Sequence, residues 1–374
     1  MALPDKFNLD ELLKPISEEN PVGNNVRDDP SPTSVYRKIK QARRAARAAE
    51  RYYMFPREGG DSSNSPPNPK EHWKTVVSIA PEILSIHCKD IEVSSWFIEA
   101  MTRTQGFDGL LFSFKLTNKL IETYWDKIYP LPDEDGMLTR VAALAGLNGE
   151  GSEGVLISPI RNIPLTEGNH ATGPFSFFRY KQALDTQKIT DIKVREEKSS
   201  KLNFNIDDIK KAVSQTSEGF YLNLRDNIVN CISEYKEISK RLDELCGSSI
   251  APPTSNIINV LERCLGAVNH LAKDKLPVEA IEIATDTDTN INESSNTQKS
   301  SATVNTRDAA FKQLHEISDF FLRTEPHSPI SYVLAKAVKW GNMPLDELIG
   351  ELIPDNSSRE YFSSLTGVKI SDES

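Results

Sequence analysis

His327 and Ser328 stand side by side in Glu325-Pro326-His327-Ser328-Pro329. An imidazole can take the proton of a serine hydroxyl and make it a nucleophile, so the pair raises hydrolytic chemistry. A triad also needs a carboxylate to orient the imidazole, and no acid stands at a convincing spacing. The competing reading is helix punctuation with a subunit contact: Ser328 is a natural N-cap and Pro329 suits the first helical position. A second candidate is the glycine cluster GLNGEGSEG at 146–154. A phosphate loop would require Gly-Lys-Ser/Thr after it, and a nucleophile elbow would require glycine where Glu150 stands. It reads as a flexible turn. Cys88, Cys231, Cys246 and Cys264 lack the C-x-x-C spacing of a zinc site and read as buried reduced thiols. No motif demands a cofactor.

Charge offers binding chemistry instead. Residues 33–53, TSVYRKIKQARRAARAAERYY, predict a basic alanine-rich helix with a thin seam of Val35, Ile39, Ala42, Ala46, Ala49 and Tyr53. Arg43, Arg44 and Arg47 are the candidates for docking an acidic partner, and a solvated surface face is the bland alternative. A nucleic-acid adaptor is the third possibility. The formal net charge of −10 argues against the whole chain binding nucleic acid.

The elements that must position these residues are helical. From Glu71 to Pro130 the spacing predicts three short helices packed as an antiparallel bundle. Trp73, Val76, Val77, Ala80, Ile83, Leu84 and His87 stripe the first, with Pro81 expected to kink or restart it. Val93, Trp96, Phe97, Ala100 and Met101 stripe the second, which Gln105-Gly106 ends. Leu110, Phe114, Thr117, Ile121 and Trp125 stripe the third, with Tyr124 beside them. The proline-punctuated segment 1–31 reads as a strap over this bundle. A helix is expected at Met137–Leu147, and Phe175, Phe177 and Phe178 read as core or interdomain packing. Phe220, Leu224, Ile228, Cys231, Tyr235, Ile238, Leu242 and Leu245 predict a long helix ending at Gly247, followed by a helix at 255–272. The stretch 275–305, polar from Thr285 onward, predicts a disordered linker, and 56–70 a mobile loop. Phe311, Leu314, Ile317 and Phe321 stripe a helix beyond it.

Several of these stretches together resemble a known family. Glu71-His72-Trp73, Lys89-Asp90-Ile91-Glu92-Val93, Gly106-Phe107-Asp108-Gly109-Leu110 and Tyr124-Trp125-Asp126 to Pro130 are similar in order and spacing to the ImpA N-terminal domain of TssA-type subunits of the type VI secretion apparatus. Glu325 to Pro329, with Ala337 to Leu345 around Trp340, resembles the C-terminal motif of one TssA subgroup. His72 and Pro81 depart from the pattern.

The resemblance implies an all-α protein with an N-terminal helical bundle, a middle helical hairpin and a small C-terminal oligomerising domain. The boundaries expected are an N-terminal domain at 1–185, a middle domain at 200–274, a linker at 275–305 and a C-terminal domain at 306–374. It also implies a non-enzymatic assembly subunit that forms a homo-oligomeric ring through its C-terminal domain. That domain carries Glu325, Pro326, His327, Ser328, Pro329 and Trp340 as its motif. Baseplate, sheath and tube subunits are the implied partners, with the membrane complex reached only through other proteins. The absence of a long apolar run or a secretory signal points to the cytoplasm. A helical hydrolase or a nucleic-acid adaptor remains the alternative.

Overall fold

Residues 7–54, 68–168, 173–276, 307–324, 329–341, 343, 345–353, 355, 358 and 359 are described by a computed structural model of the chain. They are helical throughout, with isolated bridge pairs in place of strands. The chain divides into two compact units, Met1–Ile283 and Ala284–Ser374.

The first unit begins with α1 (Leu9–Leu13), capped by the Asn8 side chain. Beyond it the chain lies against the bundle, as the prolines predict: the Lys89 N–H donates to the Val22 carbonyl at 2.8 Å and the Asn24 N–H to that of His87 at 3.2 Å. α2 (Val35–Met54) buries Ile39, Ala42, Ala46 and Ala49, whose small side chains let it approach α3 (Pro69–Glu82) closely. Tyr53, read into that seam, is exposed.

Pro81 does not restart the helix but lies inside α3. It leaves the Val77 carbonyl without a helical N–H donor, and the helix runs on to Glu82 before widening into a π-turn, Ile83–His87. The turn closes where Cys88 N–H meets the Ile83 carbonyl at 2.9 Å.

α4 (Ile91–Tyr124) holds the second and third expected helices folded back on each other at Gly106, with Ser94 Oγ 2.6 Å from Thr117 Oγ1 and the Phe97 and Phe112 rings 6.3 Å apart. Gly106, at φ 62° and ψ −141°, turns the path between them without a loop. That φ lies in the region only glycine enters at little cost. Almost every residue of its first half is buried, including hydroxyls that bond back along the helix, such as Ser95 to the Ile91 carbonyl and Thr102 to the Ile98 carbonyl.

α5 (Met137–Asn148) and α6 (Ile157–Asn162) pack on α4; α7 (Phe177–Gln187), α8 (Ile192–Leu202) and α9 (Ile206–Gln215) lead to the long α10 (Glu218–Cys246) and α11 (Ser255–Leu271). Phe175 is core, against Phe204 at 5.4 Å, whereas Phe178 is exposed. α8, which has no buried residue, was not anticipated.

α10 and α11 form the expected hairpin, but it is no separate core. Phe114 of α4 stacks on Tyr235 of α10 at 4.8 Å, and one hydrophobic core runs from Leu12 to Ala272. The stretches 1–185 and 200–274 therefore fold as one body. Nor does the linker begin at Lys275: its Nζ donates to the Ser214 carbonyl at 2.8 Å, and Leu276 packs on the core. The rest of the expected linker, from 277, lies outside the described residues, as does most of the 56–70 loop.

The second unit holds α12 (Arg307–Thr324), α13 (Pro329–Gly341) and α14 (Leu345–Leu352). Phe311 packs against Gly341, where a Cβ would sit 2.0 Å from its ring. Ser318 Oγ donates to the Ser331 carbonyl at 2.7 Å. Phe320, Tyr332 and Val333 are 55%, 62% and 62% exposed, so these helices do not cover their own apolar side chains.

Candidate docking site

The family-like motifs prove to be joints. Lys89 is fully buried, and its ammonium donates to the carbonyls of Leu12 at 2.8 Å and Leu84 at 2.7 Å, tying the N-terminal segment to the start of the π-turn. Burial lowers its pKa to about 8. Asp90 caps α4, accepting from Val93 N–H at 3.0 Å, and pairs with Arg27 at 2.5 Å. Tyr124 donates its hydroxyl proton to the Leu13 carbonyl at 2.6 Å. Arg140 of α5 is buried against the Trp125 and Pro130 carbonyls, at 2.8 and 3.1 Å. Trp73 donates to Glu50 at 2.7 Å across α2 and α3, while the Glu71 carboxylate pairs with exposed Lys74 at 2.8 Å.

The 146–154 cluster is also a joint. Buried Asn148 accepts from the Ile257 N–H of α11 at 3.0 Å. A Cβ on Gly154 would meet the Leu147 carbonyl oxygen at 2.2 Å, so close backbone approach explains that glycine. Three cysteines are buried and Cys246 is half-buried, all as free thiols, and no group of three metal-ligating side chains gathers among the described residues.

The basic helix opens onto a cleft of about 440 Å³ between α2, α4 and α5. At one end Arg27 meets Asp90 and, at 2.5 Å, Glu92. Tyr36 donates to Glu92 at 2.9 Å and stacks on Trp96 at 5.6 Å. Burial, then the Glu92 charge, pushes the Tyr36 phenol up to about 12. At the other end Glu99 is fully buried, paired with Arg43 at 2.6 Å and with Arg103 at 3.8 Å. Arg103 also reaches Glu50 at 2.7 Å and lies over the Trp73 ring at 4.3 Å. Arg47 lines the same cleft.

The three candidate arginines thus part company. Arg43 and Arg47, one helical turn apart, face the cleft, and Arg43 is already engaged by Glu99. Arg44 is exposed and lines no part of it. Sequence reading missed Glu99, although a carboxylate inside the apolar run Trp96–Met101 was a signal for a buried pair. Of the C-terminal candidates, Glu325, Pro326, His327 and Ser328 lie outside the described residues. Pro329 opens α13, and Trp340 is half-buried near its end with Lys336 Nζ 5.0 Å from its ring.

The comparisons point one way. Residues 13–149 match the family model described as ImpA, N-terminal, type VI secretion system. The type VI secretion system component TssA1 of Pseudomonas aeruginosa is 24% identical over 311 residues, covering 81% of this chain and 85% of that protein. A solved structure, the N-terminal domain including the conserved ImpA_N region of the TssA component from Burkholderia cenocepacia, matches with a TM-score of 0.56. It is 24% identical, and the match covers 74% of this chain and 99% of that one. That coverage reaches far beyond residue 149, in keeping with a first unit that includes the α10–α11 hairpin. Residues 13–149 are thus similar to the ImpA N-terminal region of type VI secretion systems, and most of the chain is similar to a TssA component.

Proposed function

We propose that the chain is a non-enzymatic assembly subunit of the type VI apparatus, working in the cytoplasm at the baseplate and sheath to prime or guide tube and sheath assembly. The observation that carries this reading is the match to the ImpA N-terminal family over residues 13–149. The use made of the buried polar groups supports a structural role: Lys89, Asp90, Arg140 and Asn148 are all engaged in joining segments of the fold. Free thiols suit a reducing compartment, and no described helix is long and apolar enough to cross a membrane.

In this reading the second unit joins copies of the chain into a ring and the first presents partner-binding surfaces. The exposed Phe320, Tyr332 and Val333 favour self-association, since apolar side chains left open by short helices are stabilised when copies cover them. Many copies would let weak partner contacts add up. Co-elution of the purified chain with purified baseplate and sheath subunits tests the reading. Binding to at least one is expected, and failure to bind any would overturn it.

A further inference from the structure

We propose that the cleft between α2, α4 and α5 is a docking pocket for an acidic side chain of a partner protein, with Arg47 as the cation that receives it. This rests on the assembly-subunit reading and adds the chemistry of one contact.

The argument is one of local charge. At the Arg27 end the groups satisfy each other: Arg27 serves Asp90 and Glu92, and Glu92 also takes the Tyr36 hydroxyl. At the other end three guanidiniums, those of Arg43, Arg47 and Arg103, converge on Glu99, and Glu50 relieves only Arg103. Arg47 makes no hydrogen bond or ion pair among the described residues. It is half-buried; burial opposes its charge, Glu99 offsets part of that, and the neighbouring arginines add to the cost, so an added carboxylate there would be favourable.

Glu99 adds an independent sign that the site is incomplete. Its side chain is 1% exposed and lines the cleft, yet Oε2 accepts no hydrogen bond. A carboxylate on Arg47 would balance the charge at this end of the cleft, and an extended acidic segment can supply it.

The cleft mouth provides a handle. Gly146 lies on its rim in α5, and a Cβ there meets nothing within 4 Å. Gly146→Glu would set a competing carboxylate at the entrance without an internal clash. Arg47→Gln removes the receiving charge, and Arg44→Glu alters charge on the same helix outside the cleft.

Overlapping peptides tiling the type VI subunits of the same organism, together with acidic peptides from unrelated proteins, would be titrated against the full-length chain at low salt. Peptides rich in Asp and Glu are expected to bind, with affinity lowered about tenfold or more by Arg47→Gln and by Gly146→Glu and little changed by Arg44→Glu. No acidic peptide binding, equal binding by Arg47→Gln, or an equal loss with Arg44→Glu would overturn the pocket. Acidic peptides from unrelated proteins bound through Arg47, with none from type VI subunits, would uphold the pocket and sink the assembly reading. Whole type VI subunits bound equally well by wild type and Arg47→Gln would do the reverse.

Discussion

In the first unit Trp73, Phe97, Phe114, Phe175 and Tyr221 are sealed inside one core, and the fully buried Lys89, Asp90, Glu99 and Arg140 are each bonded to carbonyls or to an opposite charge. In the second, α12 and α13 pack through Phe311 and Gly341 and through Ser318 and Ser331, yet leave Phe320, Tyr332 and Val333 more than half open. A chain segment that buries its apolar surface internally folds by itself. One that cannot is marginal until something covers it. The contrast supports the proposal that the first unit is self-sufficient and that the second carries assembly.

The largest effect expected of a single substitution falls at the joints of the first unit. Asp90→Ala removes the cap of α4 and one of the two carboxylates on Arg27, and should destabilise that unit by about 2–3 kcal/mol. Lys89→Met keeps the volume but leaves the Leu12 and Leu84 carbonyls without their donor, at a cost of about 1–3 kcal/mol. Denaturant midpoints check both, and a cost below about 0.5 kcal/mol for either would show that the joints are ornamental.

Assembly should respond at the opposite pole. Tyr332→Glu and Val333→Glu lie on exposed positions, so each should change folding stability by no more than about 0.5 kcal/mol while lowering the oligomeric mass. Loss of fold with unchanged mass would erase the distinction between the units.

Alkaline pH probes the first unit alone. Burial pushes the Cys88 and Cys264 thiols, ordinarily 9.0, and the Tyr221 phenol, ordinarily 10.0, up to about 12. The unfolded chain loses those protons first, so their contribution is intact below the unfolded values and falls as pH rises toward the folded ones. Lys89, lowered from 10.5 to about 8, acts oppositely: between those values the unfolded chain holds the extra proton and stability rises with pH. Three acids outweigh one base, so unfolding curves should show a net loss above about pH 9. The loss should be steeper in Lys89→Met, which removes the opposing slope.

The smallest effect is Gly146→Ala, an exposed helical glycine with open space around its Cβ, expected to stabilise by about 0.5–1 kcal/mol.

Much of this architecture was legible because it is local. Gly106 announced the turn within α4, Gly247 the end of α10, and the Trp73–Leu84 stripe the buried face of α3. The role of Lys89 and Asp90 was not, since their partners, Leu12 and Arg27, lie some sixty to eighty residues away. Tyr221, rather than Phe220, fills the first buried position of α10, because two adjacent aromatics leave the phase of the stripe undecided. α8 escaped because nothing in its run of charges marks a buried face. Of the cleft, the pairing of Arg43 with Arg47 was available from their four-residue spacing, and Arg44, one residue on from Arg43, turns to another face. Glu99, Glu50 and Arg103 come together only through packing.

The most direct test of the division is the solution mass of the full-length chain beside that of residues 1–276, measured by light scattering at matched concentration. A large homo-oligomer for the full chain and a folded, lower-order species for 1–276 is the predicted pair. A monomeric full chain, or a shortened one that keeps the whole assembly, would contradict it.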